Sequence, residues 1–394
     1  MRWRSKAEDP TTRAVIAKEW NVDRVVLPDR VQAGARIAAV DGRIVAVDRA
    51  AASPSAERLR GTLLPGFVDL QCNGAGGRSV DEGTSGALDT IAAAVFKGGA
   101  VAFLPTLITA PWPRLLEQID AVARWIEGRS ENRGAGDESG PGSAEPLGLH
   151  LEGPFLTTPG AHDPAQFVEP TAERIDALLA AARGTLRLVT LANARPGAAA
   201  AIARLRQAGV TCAIGHCAEP MGFAECVAAG ATAVTHLFNA MGPLHHRDDN
   251  VAALALDCDR LTCPLILDGV HVSPTMVRNA FAILGPERMA LVTDAVAAAG
   301  QPDGDYTLSG IPVRAENGIV RDGAGRLAGS ALTMAMAARN FLDFVPGAGA
   351  WTLARIASAN PARLVGAERF GAIATGRRAA FTLLGDDGSV TTIR

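Results

Sequence analysis

The fold is decided by Leu186-Arg187-Leu188-Val189-Thr190-Leu191, then Ala198-Ala199-Ala200-Ala201-Ile202-Ala203-Arg204-Leu205-Arg206-Gln207, then Val210-Thr211-Cys212-Ala213-Ile214. A short apolar run, an Ala-rich stretch with helical spacing and a second short apolar run read as strand, helix, strand. Two strands joined through a helix run parallel. The same unit recurs on both sides of this stretch. The short apolar runs are Leu63–Leu70, Val101–Leu107, Leu147–Leu151, Leu186–Leu191, Val210–Ile214, Ala233–Leu237, Pro264–Leu267 and Met289–Val292. Helical stretches between them include Leu88–Phe96, Leu115–Ile126 and Ala172–Ala182. Eight repeats of strand and helix predict an α/β fold with a closed (β/α)₈ TIM-like barrel, a unit of about 250 residues. Residues 61–302 accommodate it.

The ends read differently. Arg36–Val40 and Arg43–Val47 flank Asp41-Gly42, a two-residue hairpin signal. Asn317-Gly318 and Asp387-Gly388 repeat that signal late in the chain. Segments 22–60 and 303–394 therefore read as one small β-sandwich domain built from both termini, with helices at about 330–365 packing on the barrel. Residues 1–21 have no clear period and read as a disordered extension. Gly128–Pro146, polar and rich in Gly, Ser and Glu, reads as a loop.

A chain of 394 residues with 48% hydrophobic residues can bury a large core. Its net charge of -3 and the lack of a basic block argue against nucleic acid and membrane surfaces as partners. Residues 1–21 lack the apolar stretch of a signal peptide, and no run of about 20 apolar residues suggests a membrane span. Six cysteines without a C-x-x-C pair, several in apolar runs, read as reduced thiols of a cytoplasmic protein.

The polar residues that matter stand just after the strands. Glu152 follows Gly148-Leu149-His150-Leu151, His216 follows Cys212-Ala213-Ile214-Gly215, His236 follows Val234-Thr235, and Asp294 follows Val292-Thr293. The C-terminal ends of barrel strands converge on one face, where active sites form. Two imidazoles and a carboxylate suit zinc or another first-row ion with a fourth position open. A single histidine at a strand end is ordinarily structural; four such residues at the same point of successive units make coincidence the weaker account. His150, one layer deeper in its strand, reads as structural. Asp294 reads as the proton carrier, because Glu152, His216 and His236 already make three ligands.

Pro65-Gly66-Phe67-Val68-Asp69-Leu70-Gln71-Cys72-Asn73-Gly74 resembles the first-strand motif of the amidohydrolase superfamily, in the form found in N-acetylglucosamine-6-phosphate deacetylases. Phe103–Leu107, Gly148–Phe155, Thr235–Met241, Asp268–His271, Val292–Ala295 and Ala328–Thr333 extend the likeness over roughly residues 34–381. Together these motifs are specific; each alone is weak. The resemblance implies that Glu152, His216 and His236 bind one divalent metal, zinc first, with iron, manganese or cobalt as alternatives. It implies that Asp294 is the catalytic aspartate and that His162 polarises the acetyl carbonyl. Asn239, Ala240, Arg247 and His271 match sugar- and phosphate-binding positions, with Gln71 and Asn73 supporting the site. In the family the arginine reaches the neighbouring subunit's site, which implies a homodimer. The implied reaction removes acetate from N-acetylglucosamine 6-phosphate, in amino-sugar catabolism and cell-wall sugar recycling.

Gln71 and Asn73 stand where two-metal relatives carry His-x-His, as in the single-metal branch. Leu191-Ala192-Asn193-Ala194 replaces the usual Leu-Ala-Pro-Glu, and Gly376-Arg377-Arg378-Ala379-Ala380 lacks an aspartate usual near that turn. A deacetylase of N-acetylgalactosamine 6-phosphate or another N-acyl sugar is the near alternative. A non-catalytic sugar-phosphate-binding protein is the distant one. A dihydroorotase-like enzyme would need His-x-His and a lysine at a strand end; the lysines are Lys6, Lys18 and Lys97. A second metal site at His245 and His246 is a further rival to the single-metal reading.

Overall fold

A computed structural model describes residues 17–49, 54–131 and 142–394. Eight parallel strands form the barrel: Phe67–Cys72, Ala100–Ile108, Leu149–Glu152, Leu186–Leu191, Thr211–Ile214, Ala233–Val234, Cys263–Ile266 and Met289–Val292. Neighbours pair in sequence order. Single bridges join the sixth strand to the seventh (Ala233 to Thr262) and close the ring from the eighth to the first (Ala295 to Cys72). All eight expected apolar runs contribute a strand. The strands are buried along nearly their whole length, because helices cover the outer face and packed side chains fill the inside.

One run divides. Leu63–Leu70 reads as a single strand, but Glu57–Pro65 belongs to the terminal sheet and Phe67–Cys72 to the barrel. Gly66 stands at the break. A Cβ there would lie 2.3 Å from Val101 Cγ2, so only glycine lets the two units meet so closely. The polar stretch Gly128–Pro146 is also not loop throughout. The second barrel helix, Trp112–Glu131, runs into it, and Glu145–Pro146 adds a short strand beside Ala102–Phe103.

Both termini build one six-stranded sheet from Ala17–Val26, Val31–Val40, Arg43–Asp48, Glu57–Pro65, Phe381–Leu384 and Val390–Ile393. Trp20, Ile37, Ile44, Leu63 and Phe381 form its core, with Trp20 edge-on to Phe381 at 5.4 Å. The first strand begins at Ala17, inside the stretch 1–21 that reads as disordered. Ala17 pairs with Val40, and the buried alternation of Trp20 and Val22 continues the pattern backwards. Residues 1–16 lie outside the described residues. Asp41-Gly42 and Asn317-Gly318 make hairpin turns with positive φ at both residues, as their sequences require.

The segment 303–394 does not join that sheet as a block. Gly304–Leu308, Ile311–Glu316 and Ile319–Asp322 form a separate three-stranded antiparallel sheet. Its buried face, Leu308, Val313, Ala315 and Val320, packs on Ile108, Val296 and Ala298 at the C-terminal end of the barrel. Met334–Phe344 and the turns from Ala350 to Leu364 pack on the barrel's first and last strands. There Ser358 Oγ donates to the Gly66 carbonyl at 2.6 Å and Asn360 Nδ2 to the Met289 carbonyl at 2.7 Å.

Candidate active site

The barrel's C-terminal mouth gathers the residues that follow the strands. His216, His236 and Asp294 all adopt positive φ, 50°, 31° and 49°. Left-handed backbone costs a residue with a Cβ about 1–2 kcal/mol, and such conformations concentrate where function holds them. All three side chains line one cavity of about 150 Å³, together with Glu152, His162, Asn73, Asn239, Ala240 and His271.

Glu152, His216 and His236 meet at its floor. His236 Nε2 lies 2.9 Å from Glu152 Oε1, His216 Nε2 lies 3.3 Å from the same oxygen, and the two Nε2 atoms are 3.1 Å apart. His216 Nδ1 faces the Thr158 carbonyl at 2.9 Å. A carbonyl only accepts, so Nδ1 carries the proton and Nε2 presents a lone pair. His236 Nδ1 is buried without a partner. Two imidazole nitrogens and a carboxylate oxygen thus converge within 4.8 Å of one another. Lone pairs so close repel unless a cation lies among them, and this donor set suits a first-row divalent ion. The triad therefore fits a metal.

Around it the amides act as donors. Gln71 Nε2 donates to Glu152 Oε1 at 2.9 Å and to Asp294 Oδ1 at 3.0 Å. Asn73 Nδ2 donates to the same Asp294 oxygen at 2.7 Å, while Asn73 Oδ1 is buried without a partner. Burial pushes the Asp294 carboxyl up to about 6, and the Glu152 charge adds to the rise. Burial would raise Glu152 as well, but the imidazoles of His162, His216 and His236 gathered around it hold it well below the usual carboxylate range. For His236, burial opposes the charged form and is outweighed by the Glu152 hydrogen bond and charge, so its pKa is raised.

His162 reaches the site from the loop after the third strand. Its Nδ1 lies 2.8 Å from Thr109 Oγ1, and its Nε2 lies 3.7 Å from Glu152 Oε2. Burial, then the His216 charge, lower it to about 4, so it is neutral at ordinary pH. His271 is fixed by Asp268, whose Oδ2 sits 2.6 Å from His271 Nδ1. Asn239 turns its amide back to the carbonyls of His236 and Leu237. His150 is fully buried between Thr106 and Thr190, lowered to about 4 by burial, and does not line the cavity.

Arg247 is not brought into this group. It is exposed in the stretch after Met241 and does not line the cavity of its own chain. His245 and His246 are exposed beside it, and His245 pairs with Asp248 at 2.8 Å. Among the described residues, Glu152, His216 and His236 are the one group of potential metal ligands. Asn193, where the sequence departs from the usual motif, donates to the carbonyls of Glu219 and Met221, both at 2.8 Å, and braces the loop after His216.

Several contributors escape a sequence reading. Thr109 and Thr158 orient two histidines. Asp69 accepts from the Thr293 hydroxyl at 2.5 Å and from the Thr293 amide at 3.2 Å, which joins the first strand to the eighth beside Asp294. Leu308 and Leu327 line the cavity from the segment around the three-stranded sheet. The Thr109, Thr158 and Asp69 contacts depend on partners distant in sequence; the motif that contains Asp69 was the one visible signal.

Comparison with known proteins identifies the family. Residues 62–393 match the amidohydrolase family. The chain is 35% identical to N-acetylgalactosamine-6-phosphate deacetylase from Escherichia coli O157:H7, covering 87% of this chain and 89% of that protein. It is 32% identical to N-acetylglucosamine-6-phosphate deacetylase from Vibrio furnissii, covering 96% and 91%. A mutant N-acetyl-D-glucosamine-6-phosphate deacetylase from Mycobacterium smegmatis, solved in complex with N-acetyl-D-glucosamine-6-phosphate, superposes with a TM-score of 0.88 at 34% identity, over 96% and 98% of the two chains. No described helix is long and apolar enough to cross a membrane. The chain belongs to the metal-dependent amidohydrolase family, in the branch whose relatives are N-acetylhexosamine-6-phosphate deacetylases.

Proposed function

We propose that this protein hydrolyses N-acetyl-D-glucosamine 6-phosphate to D-glucosamine 6-phosphate and acetate. The observation that carries this reading is the pairing of the converging triad with Asp294, linked through one Gln71 nitrogen. Glu152, His216 and His236 would hold one divalent ion, zinc first. Such an ion lowers the pKa of water and polarises a carbonyl. Asp294, raised to about 6, accepts the proton of the attacking water as the C–O bond forms. The neutral His162 ring meets the developing negative charge on the acetyl oxygen. Asp294 then returns the proton to nitrogen as the C–N bond breaks, and acetate and the free amine leave. Asn73 Oδ1, His271, Asn239 and the backbone at Ala240 are suited to orient the sugar.

Arg247 is assigned to the phosphate of a neighbouring subunit's substrate within a homodimer. Its exposure outside its own cavity supports that assignment. A guanidinium suits phosphate because its planar fork makes two parallel hydrogen bonds. The cytoplasm and amino-sugar recycling are the setting this reaction implies.

N-acetylgalactosamine 6-phosphate is the second reading, supported by the 35% identity to a deacetylase of that name. Acetate release from both epimers, each with and without the 6-phosphate, tests the two together. The first reading expects the highest kcat/KM on phosphorylated N-acetylglucosamine. A preference for the galactose epimer would install the second, and activity on neither would remove both.

A further inference from the structure

Resting on the deacetylase reading, we propose that Ile108, Ala161, Leu308 and Leu327 form a wall that admits an N-acetyl group and rejects longer N-acyl chains. These four are among the apolar residues that line the same cavity as the reacting groups, Ile266 standing on the other side of it. Ile108 ends the second barrel strand in register with Glu152 on the third. Ala161 immediately precedes His162, whose Nδ1 is held by Thr109, the neighbour of Ile108. Leu308 ends the first strand of the three-stranded sheet, and Leu327 leads into Ala328, which packs in the same cluster. The wall therefore adjoins Glu152 and His162, on the side covered by the separate sheet.

Strand order gives the direction of the acyl chain. In a closed ring of eight, the second and third strands stand opposite the sixth and seventh. Asn239 follows the sixth strand and His271 the seventh, so these two polar side chains lie across the ring from Ile108, while the Gly160–Ala161 loop reaches over to Ala240 and Ile266 ends the seventh strand on the sugar's side. A secondary amide is planar and trans, which sets the sugar carbon and the acyl carbon on opposite sides of the C–N bond. With the sugar toward Asn239 and His271 and the carbonyl oxygen at His162, the acyl substituent points to Ile108 and the two leucines.

The wall cannot readily retreat. Ile108 and Leu308 are 3% and 4% exposed and pack against Val296, Val313 and Val320. Close-packed interiors resist an added methylene. Leu327, half-buried and on a loop, is the most easily shortened member.

The test uses N-acetyl, N-propionyl and N-butyryl glucosamine 6-phosphate with the metal-loaded wild type, Leu327→Ala and the milder Leu308→Val. A methylene in a fitted pocket changes kcat/KM by roughly 10- to 200-fold, so the wild type should fall by about that range per added carbon. Leu327→Ala should raise the butyryl-to-acetyl ratio about tenfold or more, and Leu308→Val should raise the propionyl-to-acetyl ratio. If Leu327→Ala does not fold by circular dichroism, Leu308→Val carries the comparison. Unchanged ratios in folded variants, with wild type active on the acetyl substrate, overturn the wall alone. A wild type that releases no acetate overturns the deacetylase reading and the wall with it.

Discussion

Asn73 Nδ2 donates to Asp294 Oδ1 at 2.7 Å, so a neutral amide stabilises the charged form of the carboxylate proposed to move the proton. Burial and the Glu152 charge work against that form and bring Asp294 to about 6. Activity needs Asp294 deprotonated to accept a proton, so kcat/KM should fall as pH drops through its pKa. Positive charge at the triad opposes the Glu152 contribution, which puts the limb of the loaded enzyme at or below 6. Replacing Asn73 with Leu removes a donor to the anion, so the pKa rises and the limb moves to higher pH, on the order of one unit. A pH profile of kcat/KM checks this. A limb that stays put in the variant would mean another group titrates there.

Asp294→Asn keeps the size of the side chain and removes its basicity. Turnover should fall by about 10²–10⁴-fold, the usual contribution of a positioned acid–base group. Metal content and the melting temperature should show that fold and ion are retained. Near-normal turnover in pure mutant would end the proposed role.

Gln71 and Asn73 both present N–H groups to carboxylates, and their neutral amide oxygens are poor zinc ligands beside imidazole and carboxylate. The expected stoichiometry is one metal per chain. Chelator-stripped protein should regain activity on titration with zinc and reach its plateau at one equivalent. A plateau at two equivalents, with half activity at one, would favour a two-metal site. His236→Ala should lose the ion under dialysis, because it removes one of three converging donors.

Arg247→Ala should lower kcat/KM for the phosphorylated substrate far more than for the unphosphorylated sugar. Equal losses on both would remove it as the phosphate clamp. Mixed dimers of Arg247→Ala and Asp294→Asn subunits test the reach across the interface. One of their two sites would combine intact Asp294 with intact Arg247 and should recover activity. Verified mixed dimers that remain inactive would argue that Arg247 serves its own chain.

The barrel was legible because each strand is a short apolar run and each helix has its own period, signals carried within a dozen residues. The four residues after the strand ends were legible for the same reason: strand ends fix where they point. The three-stranded sheet was not. Tyr306, Val313 and Val320 alternate as any half-buried strand does, and alternation says that one face is covered without saying by what. Its partner is the barrel mouth, through Ile108 and Val296, which are distant in sequence. The division of Leu63–Leu70 at Gly66 was hidden likewise, since both halves are equally apolar and only the approach of Val101 separates them.

The left-handed backbone at His216, His236 and Asp294 sets this chain's needs as a folded object against its needs as a catalyst. Glycine at any of the three would relieve local strain of about 1 kcal/mol or more. Selection for thermal endurance alone would therefore drift toward glycine or asparagine where the histidines and the aspartate now stand. Random variants screened only for heat resistance should accumulate such replacements and emerge sturdier and inert. The shape of the turns that end these strands makes the mouth of the barrel the place where durability is traded for chemistry.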